Sequence, residues 1–413
     1  MADPIPTGKL NRGDRLAMDG GVPIRSHPLP AWPQFSEEEI AKAEAILRSD
    51  KVNYWTGTEC RQFETEFAAY HGMKYGIALA NGTLALELAM RVLRIGSEDE
   101  VIVTPRSYFA SASCIAINGA VPVFADIDPD SQNVTAATIA PHITSRTKAL
   151  LIVHLAGWPC DMPSIMELAR EHGLRVIEDC AQALGARFND RPVGSFGDIG
   201  AFSFCQDKII STAGEGGMFV TDDYDLWQAA WSFKDHGKSW ACVQAEVRDP
   251  GFRWLHESIG SNWRLTEIQG GIGRIQLRKL DGWVRQRRRN AARLKDGIVG
   301  LEALRVPEPS TREYHAYYKF YAFVKPDRLE SGWSRDRILK ALEAEGIPGL
   351  SGACPEIYLE KAFSGRTCET LPVARELGET SIMFQVHPTL AEKDIDDMAR
   401  AVRKVLVVAS APV

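Results

Sequence analysis

The fold of this chain is indicated by a stretch near its middle, residues 174–182, which reads LRVIEDCAQ. The apolar run from Leu174 to Glu178 predicts a short buried strand that closes on acidic residues. An apolar run at 149–155 and helical spacing at about 162–172 precede it, and another apolar run follows at 199–204. Short apolar strands that alternate with crossover helices predict a largely parallel sheet covered on both faces, which is an α/β fold.

The same alternation extends toward both ends of the chain. We predict further strands at 76–80, 101–104, 121–125 and 218–221, and further helices at 82–93 and 109–117. From about residue 260 the pattern changes to a long helix at 266–296, a β-rich piece at 317–324 and helices at 335–345 and 391–406. The sequence therefore predicts a large domain at 1–260, which begins with an extended arm rich in glycine and proline, and a smaller α+β domain at 261–413. The arm ends where Ser36 and Glu39 form the capping-box pattern of a helix start.

The composition disfavours several classes of protein. The chain has 413 residues and a formal net charge of -6, which gives no attraction to nucleic acid or to an anionic membrane. A basic run at 285–289 predicts a solvated helix face, and no aromatic platform for bases is interleaved with it. Eight cysteines occur without any C-x-x-C pair, which disfavours a zinc site and a disulfide framework. Because neither a signal peptide nor a long apolar run is apparent, we expect a cytoplasmic protein. We also expect no metal site, because the spacing of the cysteines does not suit one.

Three polar features follow predicted strands, at the sheet edge where open α/β folds bind ligands. Asn81-Gly82-Thr83 lies between a strand and a helix, where free backbone N–H groups form a cradle for phosphate. A strand-end carboxylate such as Asp179 pairs with a protonated heterocycle nitrogen, and Gln182 is expected one helical turn further on. Lys208 follows the apolar run 202–204 and supplies a primary amine.

Each of these features has an ordinary structural interpretation when it is taken alone. A glycine loop commonly caps a helix, a carboxylate commonly caps the next one, and a loop lysine is commonly a surface residue. Their occurrence together and in this order provides an anion cradle, a partner for a ring nitrogen and a nucleophilic amine. That combination is what a pyridoxal-phosphate site requires.

Motifs spread over most of the chain resemble one enzyme family. They are YWTG at 54–57, NGTLAL at 81–86, VFADID at 123–128, VHLAG at 153–157, EDCAQA at 178–183, FSF at 202–204, GEGG at 214–217 and GSNWRL at 260–265. Together with Lys208 they resemble the DegT/DnrJ/StrS aminotransferases, which have the aspartate-aminotransferase fold, or fold type I. The resemblance implies a large domain with a mostly parallel, seven-stranded type of sheet flanked by helices, plus a smaller C-terminal α+β domain.

The resemblance also implies roles for individual residues. Lys208 would hold pyridoxal 5'-phosphate as a Schiff base and shuttle a proton, and Asp179 would pair with the pyridinium nitrogen. The remaining cofactor contacts that the family implies are Gln182 to the ring oxygen, Phe109 on the ring face, and Gly82, Thr83 and Ser203 to the phosphate. Asn262 matches an asparagine that the family contributes from the neighbouring subunit, which implies a homodimer with shared active sites. The interpretation favoured for His154 and His236 is structural.

The implied reaction is transamination in two half-reactions. Glutamate or glutamine would convert the cofactor to pyridoxamine phosphate, and a keto-sugar, with a nucleotide-linked keto-deoxysugar as the first candidate, would then receive the amine. Two alternatives stay open: a keto-cyclitol or free keto-sugar acid as the acceptor, and a non-catalytic homologue that binds the cofactor and regulates. The segment Gly352–Tyr358 replaces a Pro-Leu-His segment of many relatives, which leaves the acceptor open. Lys208 argues against the dehydrating members of the family, which carry histidine at that position.

Overall fold

The computed structural model describes residues 15–246, 251–364 and 369–411. Its strands are β1 (Tyr75–Leu79), β2 (Glu100–Val103), β3 (Val121–Phe124), β4 (Thr147–Val153), β5 (Arg175–Asp179), β6 (Arg187–Phe188), β7 (Arg191–Pro192), β8 (Ile199–Ser203), β9 (Gly217–Thr221), β10 (Leu304–Arg305), β11 (Glu313–Tyr314), β12 (Phe320–Val324) and β13 (Ser381–Phe384). Its helices are α1 (Glu37–Arg48), α2 (Glu59–Tyr70), α3 (Gly82–Val92), α4 (Ala110–Ile117), α5 (Ala136–Ile139), α6 (Met162–Glu171), α7 (Tyr224–Lys234), α8 (Trp240–Gln244), α9 (Glu267–Ile298), α10 (Arg335–Ala344), α11 (Pro372–Thr380) and α12 (Glu392–Ala409).

Seven strands form the main sheet, in the order β1-β9-β8-β5-β4-β2-β3. Strands β8, β5, β4, β2 and β3 pair in parallel, whereas β9 runs antiparallel to its neighbours β8 and β1. β1 therefore runs in the same direction as the parallel strands. The central strands are buried along almost their whole length, as expected where helices cover both faces. The predicted α/β fold with a large, mostly parallel sheet is confirmed.

The register of the central strands places the acidic end of β5 at the carboxyl edge of the sheet. Asp179 lies opposite Val153 of β4 and Ala201 of β8. Helix α3 begins at Gly82, shortly after β1 ends at Leu79, so its N-terminus lies at the same edge. The polar positions that follow the strands therefore converge, because parallel strands all end at one edge.

A second core forms around the three-stranded antiparallel sheet β10-β12-β13. Its buried residues include Leu294 of α9, Phe384 of β13 and Val402 of α12, together with Leu16 from the N-terminal arm. Helix α9 packs against α1, α2 and α12, so it connects the two cores. The predicted domain boundary near residue 260 falls just before this helix and stays a prediction.

Several elements lie outside the predicted set, among them α2, α7, α11 and β13. Charged residues interrupt the apolar pattern of these helices, and β13 is a strand of only four residues. Within the part of the chain that the structure describes, none of the helices has the length and apolar character to cross a bilayer.

The solvated face predicted for the basic run at 285–289 is wrong for its central arginine. The two ends of the run are exposed, but Arg287 has only 1% of its surface exposed. Its Nη1 donates to Tyr318 O at 3.2 Å, and its guanidinium lies 5.1 Å from the ring centroid of Trp32. The N-terminal arm and the segment before β12 cover this face of α9, which the local pattern of charges does not reveal.

Candidate active site

The glycine loop after β1 forms the first part of the candidate site. The Asn81 side chain caps α3 by accepting a hydrogen bond from Leu84 N at 3.0 Å. The N–H groups of Gly82 and Thr83 lie in the same first turn, where a helix provides no acceptor, so they can bind an anion. A Cβ added to Gly82 would lie 2.6 Å from Cβ of Ser203, so only glycine lets β8 approach the loop this closely. The three predicted phosphate-binding residues therefore lie together.

Asp179 is a buried carboxyl group that forms no ion pair among the described residues. Only 4% of its surface is exposed. Ser111 Oγ donates to its Oδ2 at 2.8 Å, and Ala181 N donates to its Oδ1 at 3.1 Å. Burial raises the pKa of Asp179, while these two hydrogen bonds and the charge of Lys208 act in the opposite direction. A carboxylate in this position needs a cation beside it, and a protonated pyridine nitrogen meets that need.

Gln182 and Lys208 approach Asp179 from two different loops. Gln182 Oε1 accepts a hydrogen bond from Ala156 N at 3.0 Å, which leaves its amide nitrogen to donate. The helical spacing expected between Asp179 and Gln182 is wrong, because the chain turns after β5 instead of entering a helix. Lys208 follows β8, and its charge acts on Asp179 across the edge of the sheet.

Residues far away in the sequence hold the lysine loop. The indole of Trp32 donates to Lys208 O at 2.8 Å, and Lys208 Nζ lies 4.9 Å from the ring centroid of Tyr318. Tyr318 OH donates to Asp207, whose Oδ2 lies 3.7 Å from Lys319 Nζ. The N-terminal arm and the segment before β12 therefore fix both the backbone and the surroundings of the amine. Sequence reasoning missed Trp32 and Tyr318, since an aromatic residue in an arm or beside a strand carries no local signal of its partner.

Phe109, the aromatic residue predicted to cover the cofactor ring, is half-buried, and its role in stacking stays a prediction. Its ring centroid lies 5.5 Å from that of Phe363, and it packs against the core of the large domain. Ser111, on α4, donates to Asp179, and Ser107, which precedes the helix, contacts the Ser111 hydroxyl group. The neighbour of Phe109, Tyr108, has 70% of its surface exposed. Sequence reasoning missed Ser111, because the run of small and aromatic residues here does not define which face is buried.

Asn262 lies on an exposed segment beside the end of β1. The segment is attached by Ala80 N, which donates to Trp263 O at 3.0 Å, and by a bridge between Asn262 and Asp235. The Asn262 side chain is exposed and accepts only a long hydrogen bond of 3.5 Å from Arg264 N among the contacts of the described residues. Within one chain, Asn262 is thus near the glycine loop but not part of the phosphate cradle.

His154, Glu178 and Cys180 form a buried group whose ligand atoms lie within 4.8 Å of one another. His154 Nδ1 accepts from Cys160 N at 3.0 Å, so its Nε2 carries the proton and donates to Glu178 Oε2 at 3.1 Å. Glu178 also accepts 2.7 Å hydrogen bonds from the backbone N–H groups of Gly194, Phe196 and Gly197. The histidine and the carboxylate are therefore already satisfied, which supports the structural role expected for His154.

Comparison with known proteins agrees with this geometry. The model of the DegT/DnrJ/EryC1/StrS aminotransferase family matches residues 33–403. The solved structure of an aminotransferase from Psychrobacter cryohalolentis is 51% identical with a TM-score of 0.89, and the match covers 91% of this chain and 98% of that chain. A UDP-N-acetyl-3-dehydro-alpha-D-glucosamine 3-aminotransferase from Acidithiobacillus ferrooxidans is 39% identical over 93% of this chain and 97% of its own length. An L-glutamine:2-deoxy-scyllo-inosose aminotransferase from Streptoalloteichus tenebrarius is 35% identical over 95% of this chain and 97% of its own length.

The match to the family model extends from Pro33 in the N-terminal arm to Arg403 in α12. The sequence motifs, the strand order and the convergence of the site residues agree with this similarity. Enzymes of this family are sugar aminotransferases that depend on pyridoxal phosphate. The chain is a transaminase and belongs to the DegT/DnrJ/EryC1/StrS aminotransferase family.

Proposed function

We propose that the enzyme transfers an amino group from glutamate or glutamine to the keto group of a nucleotide-linked keto-deoxysugar, with pyridoxal phosphate as cofactor. The observation that carries the proposal is the convergence of Gly82, Asp179 and Lys208 at one edge of the main sheet. They supply an anion cradle, a buried carboxyl group that forms no ion pair with the residues the structure describes, and a primary amine. Pyridoxal phosphate has a group that suits each of them, namely its phosphate, its pyridine nitrogen and its aldehyde.

The residues at this edge fit the cofactor. Gly82, Thr83 and Ser203 would hold the phosphate, and the free amide nitrogen of Gln182 would donate to the ring oxygen. Asp179 would keep the ring nitrogen protonated, because a buried carboxylate favours a cation beside it. When bound, pyridoxal phosphate supplies an electron sink for the carbon that carries the amino group.

Lys208 is the residue that we assign to proton transfer. As a free amine it can take a proton from the substrate carbon and return it on the other side of the reaction. The hydrogen bond from Trp32 to the Lys208 backbone and the adjacent Tyr318 ring restrict the positions that the amine can reach. Positioning of this kind supports catalysis because the amine does not have to search for the reacting carbon.

We propose two neighbouring aromatic residues as candidates for the cover of the cofactor ring: Phe109, which the resemblance to the family implies, and the exposed Tyr108. Tyr108 lies one residue after Ser107, whose hydroxyl group contacts that of Ser111. An exposed aromatic ring beside an anion cradle gains much from stacking on a planar ligand. Phe109 is half-buried and also packs against Phe363.

The relatives support two classes of acceptor. The relative from Acidithiobacillus ferrooxidans is named for a UDP-linked keto-sugar, and its 39% identity favours a nucleotide-linked acceptor. The relative from Streptoalloteichus tenebrarius is named for a keto-cyclitol and for glutamine, and its 35% identity makes a keto-cyclitol the second candidate.

We further propose a homodimer with shared active sites in the cytoplasm. Asn262 is exposed, and on the same loop Phe252, Trp254 and Ile259 expose 79%, 86% and 92% of their surfaces. Large apolar side chains that are exposed together are typical of an interface, so a second copy of the chain would cover them and receive Asn262. The cysteines of the described residues are free, which suits a reducing compartment.

Product analysis by mass spectrometry tests the proposal. The purified enzyme is incubated with pyridoxal phosphate, with glutamate or glutamine, and with a panel of nucleotide-linked keto-sugars, the corresponding free sugars and keto-cyclitols. We expect an aminated nucleotide sugar, and no product from Lys208→Ala, which lacks the amine. Amination of a cyclitol but of no nucleotide sugar would establish the second candidate, and product formation by Lys208→Ala would refute the role of the lysine.

A further inference from the structure

Two buried hydroxyl groups from one turn of the chain hold Asp179. Ser111 Oγ donates to Asp179 Oδ2 at 2.8 Å and lies 3.0 Å from Ser107 Oγ. Each serine has only 1% of its surface exposed. Ser111 has a single hydroxyl proton and an ionised Asp179 has none, so the proton of Ser111 goes to Asp179 and Ser107 donates to Ser111. The pair therefore forms a directed chain of hydrogen bonds that ends on the carboxylate.

The outer end of this chain is fixed by the C-terminal part of the protein. The backbone of Ser107 pairs with that of Cys354, and Ile357 N donates to Pro105 O at 2.8 Å. The fully buried Arg106, between the two, donates to Ser381 Oγ at 3.0 Å. Ser107 thus has little freedom to move, and the orientation of the Ser111 hydroxyl is set before any ligand binds.

We propose that Ser111, supported by Ser107, is the positioning residue that keeps Asp179 oriented and ionised for the ring nitrogen of the cofactor. The inference rests on the proposed function, because Asp179 has this role only in a protein that binds pyridoxal phosphate. Ala181 N fixes Oδ1 and Ser111 fixes Oδ2, so the plane of the carboxylate is set by two donors. A hydrogen bond to a charged acceptor in a buried site is among the stronger ones in proteins.

Loss of Ser111 has a definite consequence for the charge of Asp179. Burial raises the pKa of Asp179, and the hydrogen bond from Ser111 is the largest of the influences that lower it. The other titratable groups around this carboxyl are Lys208 after β8, His154 after β4, Cys114 on α4 and Cys180 after β5. Since none of them changes when the hydroxyl is removed, the pKa of Asp179 rises further, and its charged form is lost at a higher pH.

The test compares Ser111→Ala and Ser107→Ala with the matched control Ser113→Ala. Ser113 lies on the same helix α4, is partly exposed and makes no side-chain hydrogen bond to Asp179. The affinity of each full-length protein for pyridoxal phosphate is measured by equilibrium dialysis from mildly acid to mildly alkaline pH, alongside turnover and thermal stability. We expect Ser111→Ala to bind about tenfold more weakly and the acid limb of its binding profile to move to higher pH. Ser107→Ala moves the limb in the same direction by less, and Ser113→Ala leaves it in place.

Two outcomes overturn the inference while leaving the proposed function intact. One is an unchanged acid limb in Ser111→Ala together with a lower melting temperature, which indicates a packing role only. The other is a shift of the limb by Ser111→Ala that persists equally in an Asp179→Asn background, since then the serine does not act through the carboxylate. If Ser111→Ala does not fold, Ser107→Ala decides the question. Failure of the unmodified enzyme to bind pyridoxal phosphate would instead refute the proposed function.

Discussion

Asp179 and Lys208 have contrasting surroundings, although both belong to the candidate site. Asp179 is almost completely buried, whereas Lys208 is partly exposed and lies beside an aromatic ring. Burying a carboxylate without a cation costs free energy, so Asp179 destabilises the cofactor-free protein. A cationic ring nitrogen would remove that cost, and the same residue thus connects cofactor binding with stability.

The variant Asp179→Asn is expected to bind pyridoxal phosphate at least tenfold more weakly, because the charge opposite the ring nitrogen is lost. Its cofactor-free form should be no less stable than the unmodified protein at neutral pH. The pKa of Asp179 is raised in the folded state, so the folded protein holds this proton to a higher pH than the unfolded chain does. The contribution of Asp179 to the free energy of unfolding therefore decreases as the pH rises from its pKa in the unfolded chain to its pKa in the folded protein. Asp179→Asn removes this decrease, because asparagine does not ionise.

Melting temperatures of the two cofactor-free proteins, recorded at acid and at neutral pH, check this sign. The melting temperature of Asp179→Asn, relative to that of the unmodified protein, should be higher at neutral pH than at acid pH. A variant with a lower melting temperature at neutral pH and normal cofactor affinity would contradict both the predicted effect on stability and the predicted effect on binding.

Replacing Tyr108 or Phe109 by alanine separates the cover of the cofactor from the core. Tyr108→Ala should keep its melting temperature, because the ring is exposed, and should bind pyridoxal phosphate roughly tenfold more weakly. Phe109→Ala should lose on the order of 2 kcal/mol of stability, because its packing on Phe363 is removed. Tryptophan fluorescence titration with the cofactor and denaturant unfolding measure the two effects. Weaker cofactor binding in Phe109→Ala at full stability would instead identify Phe109 as the stacking residue.

The start of α3 depends on close approach between backbone segments. A Cβ on Gly82 would lie 2.6 Å from Cβ of Ser203, and a Cβ on Gly217 would lie 2.4 Å from Asn81 O. These contacts press the loop after β1 against β8 and β9. The N-terminus of α3 therefore lies at the site, where its unpaired N–H groups and positive dipole can act on an anion.

Gly82→Ala should therefore weaken phosphate binding, because α3 must move away from β8 to make room for the methyl group. We expect the dissociation constant of pyridoxal phosphate to rise about tenfold or more, since several N–H groups are displaced together. Gly282→Ala is the matched control. Gly282 lies at an exposed position of α9, and an added Cβ would meet nothing closer than 4.0 Å. The control should gain about 0.5–1 kcal/mol in helix stability and bind normally. Equal cofactor affinity in both variants would show that the loop is not the phosphate cradle.

The complete site depends on contacts between distant parts of the molecule. The arm residue Trp32 reaches Lys208, the segment before β12 supplies Tyr318, and the C-terminal Cys354 pairs with Ser107. Helix α9 connects the cores on which these segments rest. The same dependence would extend to a second subunit through Asn262. Among the described residues its side chain accepts only the long hydrogen bond from Arg264 N, so it is available to a neighbouring chain.

Mixing two inactive variants tests whether active sites are shared. Lys208→Ala lacks the amine, and Asn262→Asp places a negative charge where the phosphate of a neighbouring subunit would bind. A mixed dimer has one site in which both residues are intact, so activity should return after the two variants are unfolded and refolded together. Activity assays of each variant alone and of the mixture measure this effect. A mixture as inactive as its components, at normal dimer content, would exclude a contribution from the second subunit.

The chain sequence was sufficient for the predictions that depend on local patterns. Apolar runs and helical spacing indicated the strands of the main sheet, and Ser36 with Glu39 does form the capping box. The order of the glycine loop, the strand-end Asp179 and Lys208 also indicated the site, because parallel strands bring such positions to one edge. These features are encoded by neighbouring residues and by the direction of the strands.

Only the tertiary structure decided which faces are buried and which distant residues meet. It half-buried Phe109 against Phe363 and left Tyr108 at the surface, covered Arg287 with the arm, and brought Ser111 to Asp179. Each of these results depends on the orientation of a turn relative to segments far away in the chain. Local propensity does not contain that information, since the free energy of burying a side chain depends on what the rest of the fold places against it.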